Sequence, residues 1–178
     1  VKHYAADDAF PVQDIDEILP GLLERCSRVY YTMGAHPEFD KRVIGWVNRL
    51  RSQAKQGTHT PHEFVALDHL LHDMRLYKSR TELGLMRRAA RISVDAHVRA
   101  MKATRPGRYE YEVMAELLHE FHRHDADIAY HPIVGSGPNS CVLHYRDNDR
   151  QMKDGELLLI DAGCELDGYA SDITRSFP

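Results

Sequence analysis

Two aspartates late in the sequence, Asp161 and Asp172, have a type and spacing that could support metal-dependent chemistry. Asp161 closes the apolar run 157–160, and Asp172 follows eleven residues later, beyond Asp167-Gly168. An Asp-Gly pair between two strand-like segments is a strong signal for a two-residue β-hairpin turn. We therefore expect the segments that carry the two aspartates to be the arms of one hairpin.

The turn fixes the register of this predicted hairpin. With Asp167-Gly168 as the loop, Asp161 faces Thr174 and Gly163 faces Asp172 across the two arms. Because side chains alternate between the faces of a strand, both aspartates then lie on one face as diagonal neighbours, with Cα atoms roughly 7–8 Å apart. Gly163 leaves the space opposite Asp172 free of a side chain.

Two neighbouring carboxylates at the end of a buried strand need a proton or a cation between them. An ionised carboxylate is unfavourable there unless it is paired or bound to a metal, and of two such groups one would hold a proton unless a cation neutralised both. Two divalent ions about 3.5–4 Å apart would satisfy Asp161 and Asp172, and oxygen ligands favour a hard ion such as Mn²⁺. The residues alone leave a second interpretation open, in which Asp161 is a strand end and Asp172 caps a turn.

The composition is that of an ordinary globular protein. Of the 178 residues 43% are apolar and 28% charged, and the net charge of −4 offers no basic surface for a nucleic acid. We expect no signal peptide, and the given residues contain no apolar run of about 18 that could span a membrane. Three widely spaced cysteines fit neither a disulfide framework nor a zinc motif, so we expect a reducing, cytoplasmic setting. Because the chain begins with Val1 and stops in a strand-like pattern at Pro178, we expect both ends to be cut.

The first 74 residues alternate short helices and strands. We expect a helix over 14–23 that is interrupted or restarted at Pro20-Gly21, and a strand over 28–33. A helix from Phe39 to about Gln56 and a short helix after Asp68 follow. This order predicts part of an α/β domain.

From residue 75 onward, two helices precede a β-rich region. The segment 79–82 (Ser-Arg-Thr-Glu) matches a capping box at the start of the first helix. We expect the inner face of this helix to be lined by Leu83, Met86, Ala90 and Val94. After a break at 105–107, a second helix is expected over 109–124. The apolar strand 157–160 is expected to be buried on both faces, and the next strand covers 168–174.

Five blocks in this second part carry a family resemblance. They are Ile133-Val134-Gly135-Ser136-Gly137, Cys141-Val142-Leu143-His144-Tyr145, Asp154-Gly155-Glu156-Leu157, Leu159-Ile160-Asp161-Ala162-Gly163-Cys164 and Gly168-Tyr169-Ala170-Ser171-Asp172-Ile173-Thr174-Arg175. In this order they resemble the pita-bread metallopeptidases, and most closely the aminopeptidase P (Xaa-Pro aminopeptidase) family. The segments 10–12, 33–37 and 75–79 are also similar to that family, so the resemblance covers nearly the whole chain.

The resemblance implies a mixed α/β (α+β) fold in two parts. Residues 1–74 would be the C-terminal part of an N-terminal, creatinase/prolidase-like α/β domain, and residues 75–178 the first half of a pita-bread catalytic domain. The family also implies a homo-oligomer in which the N-terminal domain restricts the length of the substrate.

The resemblance also implies a dinuclear Mn²⁺ site and its chemistry. Asp161 would bind one ion and Asp172 would bridge both, while one His and two Glu from a second half would complete the site. The implied activity is release of the N-terminal residue from peptides with proline in second position. A hydroxide shared by the two ions would attack the carbonyl before proline. His144 would contact substrate or help to move protons, and Tyr130 would lie on the side of the pocket.

Other functions remain to be distinguished. A prolidase (Xaa-Pro dipeptidase) shares the fold and the aspartate pair, whereas methionine aminopeptidases lack a domain comparable to residues 1–74. Non-catalytic pita-bread modules that bind peptide usually lose the aspartate pair, which this sequence keeps. We interpret Glu116-x-x-His119, His69-x-x-His72 and the pair His119 and His122 as helix surface residues rather than ligands. Because the remaining ligands are absent, we expect the 178 residues alone to show no turnover.

Overall fold

The chain folds into two compact units, as seen in a computed structural model that describes residues 2–178. One unit extends to Tyr77 and the other begins at Lys78, whereas the sequence-based division lies after residue 74. Five α-helices and eight β-strands are formed within the described residues. None of these helices combines the length and the apolarity that crossing a membrane requires.

The first unit pairs a two-stranded parallel sheet with helices. Its elements are α1 (Ile15–Leu23), β1 (Arg28–Tyr30), α2 (Pro37–Ser52), β2 (Glu63–Val65) and α3 (Leu67–Leu76). Val29 of β1 lies opposite Phe64 of β2. The predicted strand over 28–33 is therefore shorter, and the helix predicted to continue to about Gln56 ends at Ser52 before a short 3₁₀ turn. The buried face of α2 consists of Val43, Trp46, Val47 and Leu50.

Helix α1 continues through Pro20, so the predicted break at Pro20-Gly21 is wrong. Proline has no N–H donor, which leaves the carbonyl four residues earlier, that of Asp16, without its helical partner. Arg49 of α2 donates Nη1–H to this carbonyl at 3.4 Å, and Trp46 donates Nε1–H to the Asp16 carboxylate at 2.8 Å. Contacts from α2 thus compensate for the missing hydrogen bond.

The second unit packs two helices against antiparallel strands. Its elements are α4 (Arg80–Ala103), α5 (Glu110–His122), β3 (Asp127–Ile128), β4 (Ile133–Ser136), β5 (Leu158–Ala162), β6 (Cys164–Leu166), β7 (Tyr169–Ala170) and β8 (Ile173–Phe177). Strands β3, β6 and β7 form one sheet, and β4, β5 and β8 form the other, each in that spatial order. Helix α4 contacts both α5 and β6.

Helix α4 begins where the sequence predicts but buries a different face. Glu82 N–H donates to Ser79 Oγ at 3.3 Å and Ser79 N–H donates to the Glu82 carboxylate at 2.6 Å, which confirms the capping box. Of the predicted inner residues, Leu83, Ala90 and Val94 are exposed, so the predicted face is wrong. The buried residues are Ala89, Ile92, Ser93, Ala96, His97 and Ala100. Small side chains on this face let α4 approach α5 and β6 closely, which larger residues would prevent.

The predicted hairpin around Asp167-Gly168 is confirmed. Leu166 pairs with Tyr169 beside the turn, and Asp161 pairs with Thr174 farther along, both in the predicted register.

Both arms of this hairpin are interrupted at the same level. Gly163 separates β5 from β6, and residues 171–172 separate β7 from β8, so the strand predicted over 168–174 is divided. A Cβ at Gly163 would lie 1.8 Å from the carbonyl oxygen of Ser171. Glycine is thus required by the close approach of the two backbones, rather than by crowding around the Asp172 side chain. Strand β5 alternates between buried and half-buried residues, so the predicted burial on both faces is also wrong.

Candidate metal centre

One phenol hydroxyl contacts both aspartates. Tyr130 donates a hydrogen bond to Asp161 Oδ1 at 2.5 Å or to Asp172 Oδ1 at 2.8 Å, the single proton being shared between the two acceptors. The two carboxylate oxygens are therefore no more than 5.3 Å apart, which is the sum of the two distances. The hairpin register predicts this convergence on one side of the ribbon.

The interruption of the hairpin explains how the three side chains meet. Asp161 is near the end of β5, where it pairs with both Ile133 of β4 and Thr174 of β8. Asp172 lies in the gap between β7 and β8, and Tyr130 lies in the corresponding gap between β3 and β4. All three residues thus occupy the level at which the strands pass from one sheet to the other.

The electrostatics of this cluster favour a bound cation. Burial raises the pKa of the Tyr130 phenol, and its hydrogen bonds to the two aspartates raise the pKa further. Tyr130 therefore stays protonated at neutral pH and is a neutral donor that cannot cancel two negative charges. In the part of the chain that the structure describes, neither Asp161 nor Asp172 takes part in an ion pair. Two close carboxylates without a cation repel each other, so a divalent ion fits the charge and the all-oxygen donors of this site.

The aspartates face an open cleft of about 280 Å³. Its lining consists of Tyr130, His131, Ile133, His144, Arg146, Asp161 and Asp172. All four site residues named from the sequence therefore border a single cleft. Asp172 and His144 are exposed, whereas Asp161 and Tyr130 are half-buried.

His144 reaches this cleft from a turn. The turn follows the 3₁₀ helix Gly137–Cys141, and His144 has a φ of 54°. A positive φ is uncommon for a residue with a side chain. Contacts elsewhere in the loop must therefore hold this conformation.

A buried carboxylate that the sequence analysis did not single out organises this loop. Glu110, the first residue of α5, is 0% exposed. Its carboxylate accepts hydrogen bonds from Ser136 N–H and Oγ–H, Asn139 Nδ2–H, Tyr145 Oη–H and Arg150 N–H. Burial, followed by the bond to Glu110, raises the pKa of Tyr145 to about 12, so this phenol also remains a donor. An acidic residue in the first turn of a helix is common, and the sequence therefore contains no signal for this role.

Among the described residues, no larger cluster of metal-binding side chains competes with the aspartate pair. Within residues 2–178, no group of three or more His, Cys, Asp or Glu side chains is arranged to hold a metal ion. Glu116 of the Glu116-x-x-His119 pair is bonded to Arg99 at 2.7 Å, and His69 is an exposed neighbour of Asp73. The dicarboxylate is thus the best candidate in this part of the chain.

Comparison with known proteins identifies the family. The sequence profile of metallopeptidase family M24 matches residues 84–178, which is more than half of the chain. Xaa-Pro aminopeptidase of Escherichia coli (strain K12) is 43% identical over 173 residues, and that of Haemophilus influenzae is 39% identical over 173 residues. These alignments cover 97% of this chain but 39% and 38% of the relatives. The chain thus spans about two fifths of the length of these relatives.

Solved structures agree with the sequence relatives. Aminopeptidase PepP of Pseudomonas aeruginosa is 60% identical with a TM-score of 0.90, over 99% of this chain and 40% of that one. A variant of E. coli aminopeptidase P in complex with substrate is 42% identical, with the same TM-score and coverage. A zinc-substituted form of the E. coli protein in complex with product is 43% identical with a TM-score of 0.88, over 97% of this chain and 40% of that one. The mixed helix and sheet architecture is therefore that of aminopeptidase P, consistent with the pita-bread fold.

Proposed function

Because the chain belongs to metallopeptidase family M24, we propose that it supplies part of the active site of a manganese-dependent aminopeptidase. The proposed reaction releases the N-terminal residue from peptides with proline in second position. Relatives named Xaa-Pro aminopeptidase and structures of aminopeptidase P with substrate and product support this proposal. The observation that carries it is the convergence of Asp161 and Asp172 on the hydroxyl of Tyr130.

Asp161 and Asp172 would hold two Mn²⁺ ions together with ligands from outside these residues. Bound divalent ions would polarise the carbonyl before proline and lower the pKa of a bound water towards neutrality. Asp172 is the more exposed of the two carboxylates and would be the more accessible ligand, whereas Asp161 is half-buried and pairs along β5.

Tyr130 would act on the metal ligands, and His144 would act on the substrate. Tyr130 would keep the two carboxylates close to one another before a cation binds, since they share its single hydroxyl proton. His144, exposed in the same cleft, would donate a hydrogen bond to the peptide carbonyl as negative charge develops on its oxygen. Both side chains already lie at the cleft where these roles would be carried out.

The proposal extends to the setting of the protein. We propose a peptide substrate, assembly as a homo-oligomer and a cytoplasmic location. The three cysteines, Cys26, Cys141 and Cys164, are all free thiols, which is consistent with a reducing compartment.

Manganese binding to the 178-residue chain tests the site separately from turnover. Mn²⁺ relaxes nearby nuclei strongly, so NMR signals flanking Asp161 and Asp172 should broaden on titration, even at millimolar affinity. Asp172→Asn should weaken this binding at least tenfold because it removes one of two negative charges at the ions. Asp167→Asn is a matched control on the same ribbon, since Asp167 is exposed at the turn and Asn tolerates its φ of 51°.

Turnover provides the second part of the test. We propose that the chain alone releases no amino acid from Xaa-Pro peptides in the presence of Mn²⁺, because two carboxylates do not form a dinuclear site. Turnover by the purified chain would refute this part. Broadening that is centred elsewhere, or that is unchanged in Asp172→Asn, would refute the assignment of the ligands.

A further inference from the structure

A buried serine of α4 lies behind the segment that carries Asp172. Ser93 is 0% exposed, and its Oγ lies 2.7 Å from the Oγ of Ser171, the residue immediately before Asp172. The two residues are 78 positions apart in the sequence. This contact links α4 to the point where the second arm of the hairpin is interrupted.

Both serine hydroxyls have hydrogen-bond partners as donors and as acceptors. Ser171 Oγ–H donates to the carbonyl of Cys164 at 3.0 Å, so its oxygen is left to accept from Ser93 Oγ–H. Cys164 N–H lies 3.1 Å from both serine oxygens and donates to them. Ser171 N–H also donates to the Cys164 carbonyl at 2.8 Å. Ser93 Oγ therefore donates one hydrogen bond and accepts one, whereas Ser171 Oγ donates one and accepts from both Ser93 Oγ–H and Cys164 N–H.

These hydrogen bonds lie where the two arms of the hairpin are closest together. A Cβ at Gly163 would lie 1.8 Å from the Ser171 carbonyl oxygen and 3.2 Å from the Asp172 Cα. In the strand pairs formed by the described residues, the backbone at 171–172 is not included. Its direction is therefore set by Gly163 on one side and, on the other, by the serine hydroxyls together with the bond from Ser171 N–H to the Cys164 carbonyl; the Asp172 side chain leaves from this segment.

We propose that Ser93 is a positioning residue for Asp172, acting through Ser171. The inference deepens the proposed function, because the property that it controls is the ability of Asp172 to bind a cation beside Asp161. Without the Ser93 hydroxyl, Ser171 loses its link to α4, and the Asp172 carboxylate spends less time within reach of Tyr130. Ser93 itself does not touch the cleft.

The test measures two quantities in the 178-residue chain for Ser93→Ala and Ser171→Ala. The first is the affinity for Mn²⁺ alone, from the broadening of NMR signals flanking Asp172. The second, which needs no metal, is the hydroxyl proton signal of Tyr130, which is shifted downfield and protected while it bonds to both carboxylates. Ala96→Gly is the control, because it destabilises the same buried face of α4 without removing a hydrogen bond.

The expected result is a loss of Mn²⁺ affinity of about two- to tenfold in each serine variant, the factor that one hydrogen bond is worth. The double variant should lose little more than either single variant, because both changes break the same link. The Tyr130 hydroxyl signal should move upfield in both variants and stay in place in Ala96→Gly.

The outcomes separate this inference from the proposed function. Unchanged affinity and an unchanged Tyr130 signal in Ser93→Ala would overturn the inference, as would an equal effect of Ala96→Gly. If the parent chain bound no Mn²⁺ near Asp172, the metal assignment would fail, and the Tyr130 signal alone would still decide the role of Ser93.

Discussion

Replacement of Gly163 by alanine should strongly destabilise the second unit. The added Cβ would lie 1.8 Å from the Ser171 carbonyl oxygen, whereas Cβ atoms essentially never approach within 3.0 Å. One arm of the ribbon must therefore move by about 1.2 Å. The obstacle is a backbone atom, which cannot rotate away as a flexible side chain would.

The loss of stability can be worked out from the hydrogen bonds that this movement would break. The Ser171 backbone is bonded to Cys164, and the Ser171 hydroxyl is bonded to Ser93 and Cys164. Overpacking of a close-packed site costs about 1–3 kcal/mol, and the loss of one or more of these hydrogen bonds adds about 1 kcal/mol each. We expect the free energy of unfolding to fall by roughly 3–4 kcal/mol. For a unit of about 100 residues this lowers the melting temperature by more than about 12 °C.

Urea and thermal unfolding, followed by far-UV circular dichroism, measure this effect. Gly84→Ala is the matched control, since Gly84 lies in α4 and, apart from the helix's own backbone and its chain neighbours, no atom of the described residues comes within 4 Å of its added Cβ. Alanine is favoured over glycine in a helix by about 1 kcal/mol, so this variant should be more stable than the parent. A stability of Gly163→Ala within about 0.5 kcal/mol of the parent would refute the proposed close contact.

Three further predictions concern residues that support the fold around the site. Ser79→Ala removes the capping oxygen of α4 and should lower the free energy of unfolding, measured by thermal unfolding, by about 1 kcal/mol. Ser79→Asp keeps an acceptor at this position and should retain most of the stability of the parent. Equal losses in the two variants would contradict the role of the cap. Glu110→Ala leaves donors of Ser136, Tyr145 and Arg150 unsatisfied in the core and should lower the free energy of unfolding by about 3 kcal/mol or more. Glu110→Gln keeps an acceptor and should lose less. A loss under about 1 kcal/mol in Glu110→Ala would show that these hydrogen bonds contribute little. The hydrogen bond from the Tyr169 hydroxyl is the largest of the effects that lower the pKa of Glu82 to about 2. The charged carboxylate therefore stabilises the folded state fully above its ordinary pKa of 4.5, and this contribution is lost as the pH falls towards 2. In Tyr169→Phe, NMR titration of the Glu82 carboxyl should therefore give a higher pKa, and an unchanged value would rule out the hydroxyl as the cause.

The local parts of the structure were predictable because short-range chemistry determines them. Asp167-Gly168 favours a two-residue turn, and this turn alone fixes the partners of Leu166 and Asp161. The Ser79 cap depends only on residues three positions apart. The common side of the two aspartates follows from the same register, since a strand alternates its side chains.

Other predictions were wrong because the sequence does not show what packs against each element. Helix α4 has two apolar stripes, and periodicity selected the one with larger residues, including Leu83 and Val94. The stripe with Ala89 and Ala96 is buried instead, because small residues permit the closest approach of α5 and β6. Likewise, Pro20 was expected to break α1, and the compensating contact from Arg49 belongs to another helix.

The sequence by itself determined the turn, the register and the presence of two carboxylates on one side of a ribbon, because each depends on neighbours along the chain or across one turn. The tertiary structure decided the contacts of Asp161, Asp172 and Ser171, because Tyr130 and Ser93 reach them from distant segments. It also decided the burial of Glu110 beneath the loop of His144. Hydrogen bonds of this kind join residues 31 to 78 positions apart, and no local preference encodes them; they form only when the close packing of helices and sheets brings the partners together.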